Sequence, residues 1–292
     1  VYPAEFRYLR PGGLDEVHAA LEKYAGDVKL LAGGQSLLPL MKLRLATPGV
    51  LVDLAGAGEL RGQWRSADGV RLGAMTTYRE LRHSPAALAW LPGVDETLDV
   101  IADPQVRARG TIGGALAHGD PTADLPAMLL ALNAHVRLRG PGGERDVALD
   151  RFLTGLYTTD LAEDEVLTSV NVPAPPAGSG AAYDKHEQPA SHLALCGVAA
   201  VLTVANGHVT QARVAMTGVS SAPRRLTTLE ETLIGVPTSG SALEEATEAV
   251  TEGVRPLDDL HAPAAYRLQL LRVATRRALR VAATRAGQRW VA

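Results

Sequence analysis

Two glycine-rich clusters carry the residues of this 292-residue chain best suited to hold a charged ligand. The first is Leu30-Leu31-Ala32-Gly33-Gly34-Gln35-Ser36, an apolar run that ends abruptly on paired glycines. Such a backbone folds into a concave nest of N–H groups, and a helix starting at Ser36 adds free donors and the positive end of its dipole. This is an anion site, typically for a pyrophosphate. The same seven residues also read as a tight turn with a serine N-cap and no ligand. Neither of the better-known phosphate loops, G-x-G-x-x-G or G-x-x-x-x-G-K-S/T, is present.

The second cluster is Gly110-Thr111-Ile112-Gly113-Gly114-Ala115, trailed by Asp120 and Asp124. Here a glycine turn approaches a phosphate, a threonine hydroxyl donates to it, and a carboxylate accepts from a ribose hydroxyl or an adenine amine. The two loops would then grip opposite sides of one dinucleotide. Local roles compete with this: Asp120-Pro121 can start a turn, and Asp124 can cap the helix that follows. Among the histidines, His118, His186 and His192 show no metal-ligand spacing, and only His118 is expected near a cofactor. No metal site and no catalytic Ser-His-Asp, Cys-His or carboxylate pair is expected on this chain.

The elements that position these loops follow from periodicity. Leu14, Val17, Leu21 and Tyr24 predict an amphipathic helix over 14–24, followed by a strand over 28–32, a short helix with Pro39 in its first turn, and a strand over 50–54. A first boundary falls at residue 57. A strand pair around Gly69 and helices through 78–81 and about 91–101 lead into 107–126, which reads as loop-rich and backbone-exposed. A helix end over 128–132 and a strand over 134–138 follow. The proline- and glycine-rich stretch 173–180 marks a second boundary. Beyond it, runs over 193–205 and 209–216 flank Asn206-Gly207, a strong hairpin signal, and helices are predicted over 226–234, 242–250 and 263–286. The last helix displays Arg267, Arg272, Arg276, Arg277, Arg280 and Arg285, read as a solvated face or as a docking face for a sister subunit.

Composition narrows the class. Hydrophobic residues make 46% and charged residues 21% of the chain, which indicates a folded globular protein, and a net charge of -3 argues against nucleic acid as partner. The single Cys196 excludes an intrachain disulfide and cannot hold an iron–sulfur cluster alone. No apolar run is long enough for a transmembrane span, and Val1-Tyr2-Pro3-Ala4-Glu5-Phe6 lacks the layout of a secretory signal, so a cytoplasmic protein is expected.

Ala32-Gly33-Gly34-Gln35-Ser36-Leu37-Leu38-Pro39-Leu40-Met41-Lys42 resembles the first FAD loop of the medium subunits of carbon monoxide dehydrogenase and related molybdenum hydroxylases. Thr111-Ile112-Gly113-Gly114, with Asp120-Pro121 and Asp124-Leu125-Pro126, resembles their second loop, about eighty residues on. Asp103-Pro104-Gln105-Val106-Arg107, the strand over 166–173, Tyr183-Asp184-Lys185 and Tyr266-Arg267 also fall where that family has similar residues, so the resemblance spans essentially the whole chain.

The resemblance implies an α+β chain: a two-part vanillyl-alcohol-oxidase-like (PCMH-type) FAD-binding domain, 1–57 and 58–177, followed by a C-terminal α+β domain, 178–292, with an antiparallel sheet and helices. FAD would lie between the first two parts. The implied cofactor set is Leu31, Ala32, Gly33, Gly34, Gln35 and Ser36, with the backbone of 32–36 around the pyrophosphate, then Gly110, Thr111, Gly114 and Ala115 closing over it. His118 lies nearby, Asp124 anchors the adenosine side, and Leu167 and Lys185 approach the flavin ring, where a lysine cation would stabilise the reduced flavin. Ala115 stands where a serine or asparagine is common, and Leu193 near where some relatives carry an aromatic side chain.

By this resemblance the chain is an electron-transfer subunit. It accepts electrons from iron–sulfur clusters of a small 2Fe–2S subunit, beside a large molybdopterin-binding subunit, in a dimer of heterotrimers, and passes them to a terminal acceptor. Molybdopterin and iron–sulfur clusters would sit on the partners. A self-contained FAD-dependent oxidoreductase acting on its own small substrate, and a nucleotide-binding adaptor without redox function, are the other two readings.

Overall fold

Leu14, Val17 and Leu21 recur every three or four residues and bury one face of α1 (Leu14–Lys23) in the computed structural model, which describes residues 2–239 and 241–286. That face packs on a parallel sheet of β1 (Arg7–Leu9), β2 (Val28–Leu31) and β3 (Val50–Asp53), in the order β1-β3-β2, with Val50 level with both Arg7 and Val28. Between β2 and β3 the chain turns at Gly33-Gly34 into α2 (Leu37–Lys42). Ser36 heads this helix, but its backbone is already helical (φ -106°, ψ -50°) and its hydroxyl makes no capping bond. A serine caps from extended backbone, so the expected cap is not formed.

The second sheet begins with β4 (Gln63–Ser66) and β5 (Gly69–Gly73). Six short helices follow: α3 (Tyr78–Arg82), α4 (Pro85–Leu88), α5 (Val94–Asp99), α6 (Pro104–Arg109), α7 (Ile112–His118) and α8 (Asp124–Ala131). Then come β6 (His135–Gly140), β7 (Gly143–Ala148), α9 (Leu149–Phe152), the small hairpin β8 (Leu153–Gly155) and β9 (Thr158–Thr159), and β10 (Val166–Pro173). The five-stranded sheet runs β4-β5-β10-β6-β7, antiparallel throughout.

The segment 107–126, expected to be loop-rich, is mostly helical. Asp103 caps α6 by accepting from the Val106 amide at 2.8 Å, Thr111 caps α7 through the Gly114 amide at 3.1 Å, and Gly119 ends α7 with φ +64°. Glycine in a helix costs about 1 kcal/mol against alanine, which is why sequence alone disfavours this reading. Burial and side-chain caps outweigh that cost here. The helix expected over 91–101 is in turn shortened to α5, because Gly93 takes φ +77° at its start.

The third sheet is β11 (Ser179–Glu187), β12 (Ala194–Ala205), β13 (His208–Thr217) and β14 (Arg224–Arg225), in sequence order and antiparallel. Asn206 and Gly207 turn β12 into β13 with φ +52° and +75°, the twist a two-residue hairpin requires. After α10 (Thr227–Leu233) and α11 (Ala242–Ala246), the long α12 (Ala264–Ala286) crosses the sheet. Period-two alternation along β12 divides its two faces. Val198, Ala200 and Leu202 pack with Leu271, Ala274 and Ala278 of α12, while Ala199 and Val201 join the core of the second sheet with Leu125 and Met128 of α8. Val166 and Met75 extend the core of the first sheet in the same way.

The arginine face of α12 is engaged within the chain. Arg267 is only 2% exposed and donates to the carbonyls of Leu195 and Gly218 and to Asp259. Arg272 reaches Thr251, Arg276 pairs with Glu248, Arg280 with Glu244 and Arg285 with Glu96. Arg267 is therefore no part of the surface, whereas Arg276 and Arg280, 39% and 72% exposed at their side chains, keep the solvated face that was expected while pairing with glutamates of the same chain.

Candidate functional site

The strand-to-helix turn after β2 and the turn entering α7 meet. Gly33 lies so close to the second loop that a Cβ there would fall 2.2 Å from the Arg109 carbonyl oxygen and 2.9 Å from the Gly110 Cα. A Cβ on Gly114 would lie 3.3 Å from that of Ala32. Two turns about eighty residues apart in sequence are thus in backbone contact, and only residues without side chains permit it.

The two loops contribute differently. In the second, the amides of Ile112 and Gly113 donate to the carbonyls of Thr76 and Ala74 at 3.0 and 2.9 Å, and that of Gly114 to Thr111 Oγ1. Those donors are occupied. In the first, with Gly34 at φ +75°, the amides from Gly33 to Ser36 have no partner among the described residues, and the loop lines a cleft. Four successive unpaired N–H groups in a turn of this kind form an anion cradle. Gln35 Nε2 braces it by donating to the Gly33 carbonyl at 3.1 Å.

The cleft has a volume of about 1880 Å³ and runs between the first two sheets. That exceeds the roughly 300–1,000 Å³ of an ordinary small-molecule pocket and suits a ligand of dinucleotide length. Val28 and Leu30, alternate residues of β2, and Ala32 just beyond it line the cleft with Leu21 and His18 of α1. Met75, Tyr78, Val166 and Leu167 line it as well. Leu167 is buried beside a β-bulge, where the pairing of β10 with β6 slips between Leu167 and Ser169. Ile101, Ala102, Asp124 and residues 191–193 bound a further part of the lining.

Of the residues expected at the cofactor, Ala32, Gly33, Gly34, Gln35, Ser36, Gly110, Thr111, Gly114, Ala115, His118, Asp124 and Leu167 all line this cleft. Leu31 and Lys185 do not. Leu31 points instead toward the turn, its Cδ1 3.3 Å from where a Gly34 Cβ would stand. Lys185 is buried and uses its ammonium on Asp124 at 2.9 Å, the Val100 carbonyl at 2.8 Å and the His192 carbonyl at 2.6 Å.

This geometry corrects two expectations. Asp124 and Lys185, placed at opposite ends of a dinucleotide, are an ion pair and so belong to one place. Lys185 is also no free cation for a reduced ring, since its charge is matched by a carboxylate in contact. Asp124 does not cap α8 either: it is the first helical residue, and its carboxylate accepts from Tyr183 Oη at 2.7 Å as well as from Lys185. Burial pushes the Asp124 carboxyl up to about 6, while Lys185 and Tyr183 pull it back down. Asp120 takes the local role, accepting from the Thr122 amide at 2.8 Å and hydroxyl at 2.6 Å.

Sequence reasoning missed Tyr78 and Tyr157. Tyr78 is 7% exposed, its amide donates to the Gly110 carbonyl at 3.0 Å, and burial holds its phenol protonated, well above the usual range. The Thr77-x-x-Glu80 capping box ahead of it was the available signal, because it fixes where α3 starts. Tyr157 stacks on His118, ring centroids 5.1 Å apart, at the tip of the β8–β9 hairpin. Nothing in its local sequence announces that position. Among the described residues no group of His, Cys, Asp and Glu is arranged to hold a metal ion.

The chain matches two family models: the FAD binding domain in molybdopterin dehydrogenase over residues 4–175, and the CO dehydrogenase flavoprotein C-terminal domain over residues 181–282. It is 40% identical to the carbon monoxide dehydrogenase medium chain of Hydrogenophaga pseudoflava, over 96% of this chain and 98% of that one. It is 36% identical to the nicotine 6-hydroxylase medium subunit of Paenarthrobacter nicotinovorans, over 94% and 95%. Among solved structures it superposes on carbon monoxide dehydrogenase from H. pseudoflava with a TM-score of 0.94 at 41% identity, covering 98% of this chain and 99% of that one. On quinoline 2-oxidoreductase from Pseudomonas putida 86 the TM-score is 0.93 at 34% identity, with the same coverage.

Proposed function

This chain belongs to the FAD-binding medium subunits of molybdenum hydroxylases, and we propose that it is the electron-transfer subunit of such a complex, taking electrons from a partner's iron–sulfur cluster and delivering them to a terminal acceptor. When bound, FAD supplies the redox chemistry, storing electrons and releasing them in ones or twos. The chain's own residues bind, orient and shield. The free amides of Gly33 to Ser36 hold the diphosphate, the backbone contact of Gly33 with Gly110 fixes the second loop beside it, and Ala115 and His118 of α7 line the path of the cofactor. Leu167 offers an apolar surface to a ring, and the Asp124–Lys185–Tyr183 network braces the part of the lining that Asp124 bounds.

The observation that carries this reading is the meeting of two separated glycine turns at the edge of one long cleft. Division of the chain into 1–57, 58–177 and 178–292 is part of the same proposal, as are a large molybdopterin-binding partner, a small 2Fe–2S partner, assembly as a dimer of heterotrimers, and a cytoplasmic location. Use of the chain on a small substrate of its own is less well supported, because three ionisable groups beside the second loop are committed: Asp124 to Lys185, Asp120 to Thr122, and Tyr78 to its protonated form.

The binding site is tested by Ala115→Trp, which places an indole in the cleft while leaving both turns intact. The variant is expected to purify folded, by circular dichroism, and colourless, whereas the parent is yellow. A folded variant with full flavin absorbance contradicts the site. Gly33 is unsuited to this test, since any side chain there collides with the Arg109 carbonyl and would compromise folding itself.

A further inference from the structure

Both ring nitrogens of His18, midway along α1, are buried, and neither has a hydrogen-bond partner among the described residues. Buried polar atoms of this kind destabilise a fold until a ligand or a water pairs them. The ring is not part of the apolar face of its helix. That face is Leu14, Val17, Ala20 and Leu21, packed with Val50 and Val52 of the first sheet, whereas His18 lines the cofactor cleft.

Contacts fix where in the cleft it lies. One turn before His18, Asp15 pairs with Arg139 of β6 at 2.6 Å, and Arg139 stands opposite Val166 in the register of β6 with β10. Val166 in turn shares a core with Leu14, Val17 and Leu21 of α1. His18 therefore belongs to the part of the cleft between α1 and the start of β10, where Leu21, Leu30 and Val166 supply apolar lining. Leu30 is three residues ahead of Gly33, so this part begins within roughly 10 Å of the diphosphate cradle.

The charge here is negative. Asp15 and Glu22, three and four residues from His18 on one side of the helix, both line the cleft, as do Asp27 and Asp164. Against them stand Lys29 and Arg139, the latter already matched by Asp15. A flavin ring gains negative charge on reduction and is disfavoured beside carboxylates. An adenine stays uncharged, its faces suit apolar lining, and its exocyclic amine suits an unused acceptor.

We propose that His18 reads the base of the bound dinucleotide, one ring nitrogen accepting from the exocyclic amine of adenine. The proposal rests on the reading of the cleft as an FAD site, and it moves the adenosine end from Asp124, where the family resemblance puts it, to the space between α1 and β10. His18 is a specificity-determining residue. It takes no part in electron transfer, and it favours FAD over a flavin dinucleotide whose base lacks that amine.

The test compares two ligands on two proteins, using the flavin-stripped full chain. The ligands are FAD and its analogue with unsubstituted purine in place of adenine, each titrated by the change in flavin fluorescence. The proteins are the parent and His18→Phe, which keeps a ring and removes both nitrogens. The parent is expected to bind FAD roughly fivefold more tightly than the analogue, the worth of one neutral hydrogen bond, and His18→Phe to bind the two alike. Without flavin, His18→Phe is expected to unfold at no lower urea concentration than the parent, because it has lost two unpaired buried atoms. His18→Leu serves for the same comparison if the phenylalanine variant does not fold. The proposal is overturned if the parent binds both ligands equally, if the variant keeps the parent's preference, or if the flavin-free variant is the less stable, since the nitrogens would then be paired within the chain. A parent that takes up neither ligand contradicts the cofactor reading instead.

Discussion

Asp124 and Lys185 are almost fully enclosed, 5% and 4% exposed at their side chains, and their partnership decides what each can do. A buried charge left without its counterion costs about 3–5 kcal/mol, so Lys185→Met should destabilise the chain by that order in denaturant titrations near neutral pH. Removing both charges, as Lys185→Met with Asp124→Leu, should restore most of the loss. The pH dependence has a definite sign. Asp124 titrates at about 6 in the folded chain against an ordinary 3.8, so the folded state holds its proton more tightly. Its contribution to stability is therefore full below about pH 4 and falls as pH rises through about 6. Without Lys185 the carboxyl moves higher still, and the defect of Lys185→Met should be smaller at pH 5 than at pH 8. An equal defect at both would show that the carboxylate is not what is stranded. The sequence pointed to Asp124 and Lys185 but not to their contact. Sixty-one positions separate them, and no local pattern encodes a pairing that depends on how β11 packs against α8.

Helix α7 shows how much of an element is legible beforehand. Its glycines were visible as a ligand turn, yet the same glycines argued against helix, and only the Thr111 cap and the packing of Gly113 on Ala74 resolve the conflict. Strands and helices with plain periodicity, such as α1, β12 and β13, fell where alternation and three-to-four spacing put them. Elements built on exceptions did not. Thr111→Val keeps the shape of the side chain and deletes the hydroxyl that accepts from Gly114. It should cost about 1 kcal/mol of stability, with Thr111→Ser restoring it, and thermal melts of the three proteins check this. A further consequence belongs to the element: fraying at the start of α7 loosens the second loop, so flavin should dissociate faster from Thr111→Val than from the serine variant.

At the scale of the whole molecule, the third sheet is held between α12 on one face and α8 on the other, and α8 begins at Asp124 beside the cleft. The C-terminal sheet thus braces the wall of a site formed by the first two. That relation was not readable from sequence, because the arginines of α12 look like a surface until the strands they reach are in place. What was readable was the pair of glycine turns, because two such motifs in this order resemble the loops of one family, although each alone also reads as a plain turn. Their meeting across the cleft is the central claim.

The most direct test is hydrogen–deuterium exchange of the flavin-stripped chain with and without added FAD, followed at residues 33–36 and 110–115. FAD is predicted to slow exchange in the first segment strongly, because its amides lack partners, and to slow the second in the same titration with the same midpoint. Protection of one segment alone, or of neither while the protein turns yellow, would contradict a single cofactor held between the two turns.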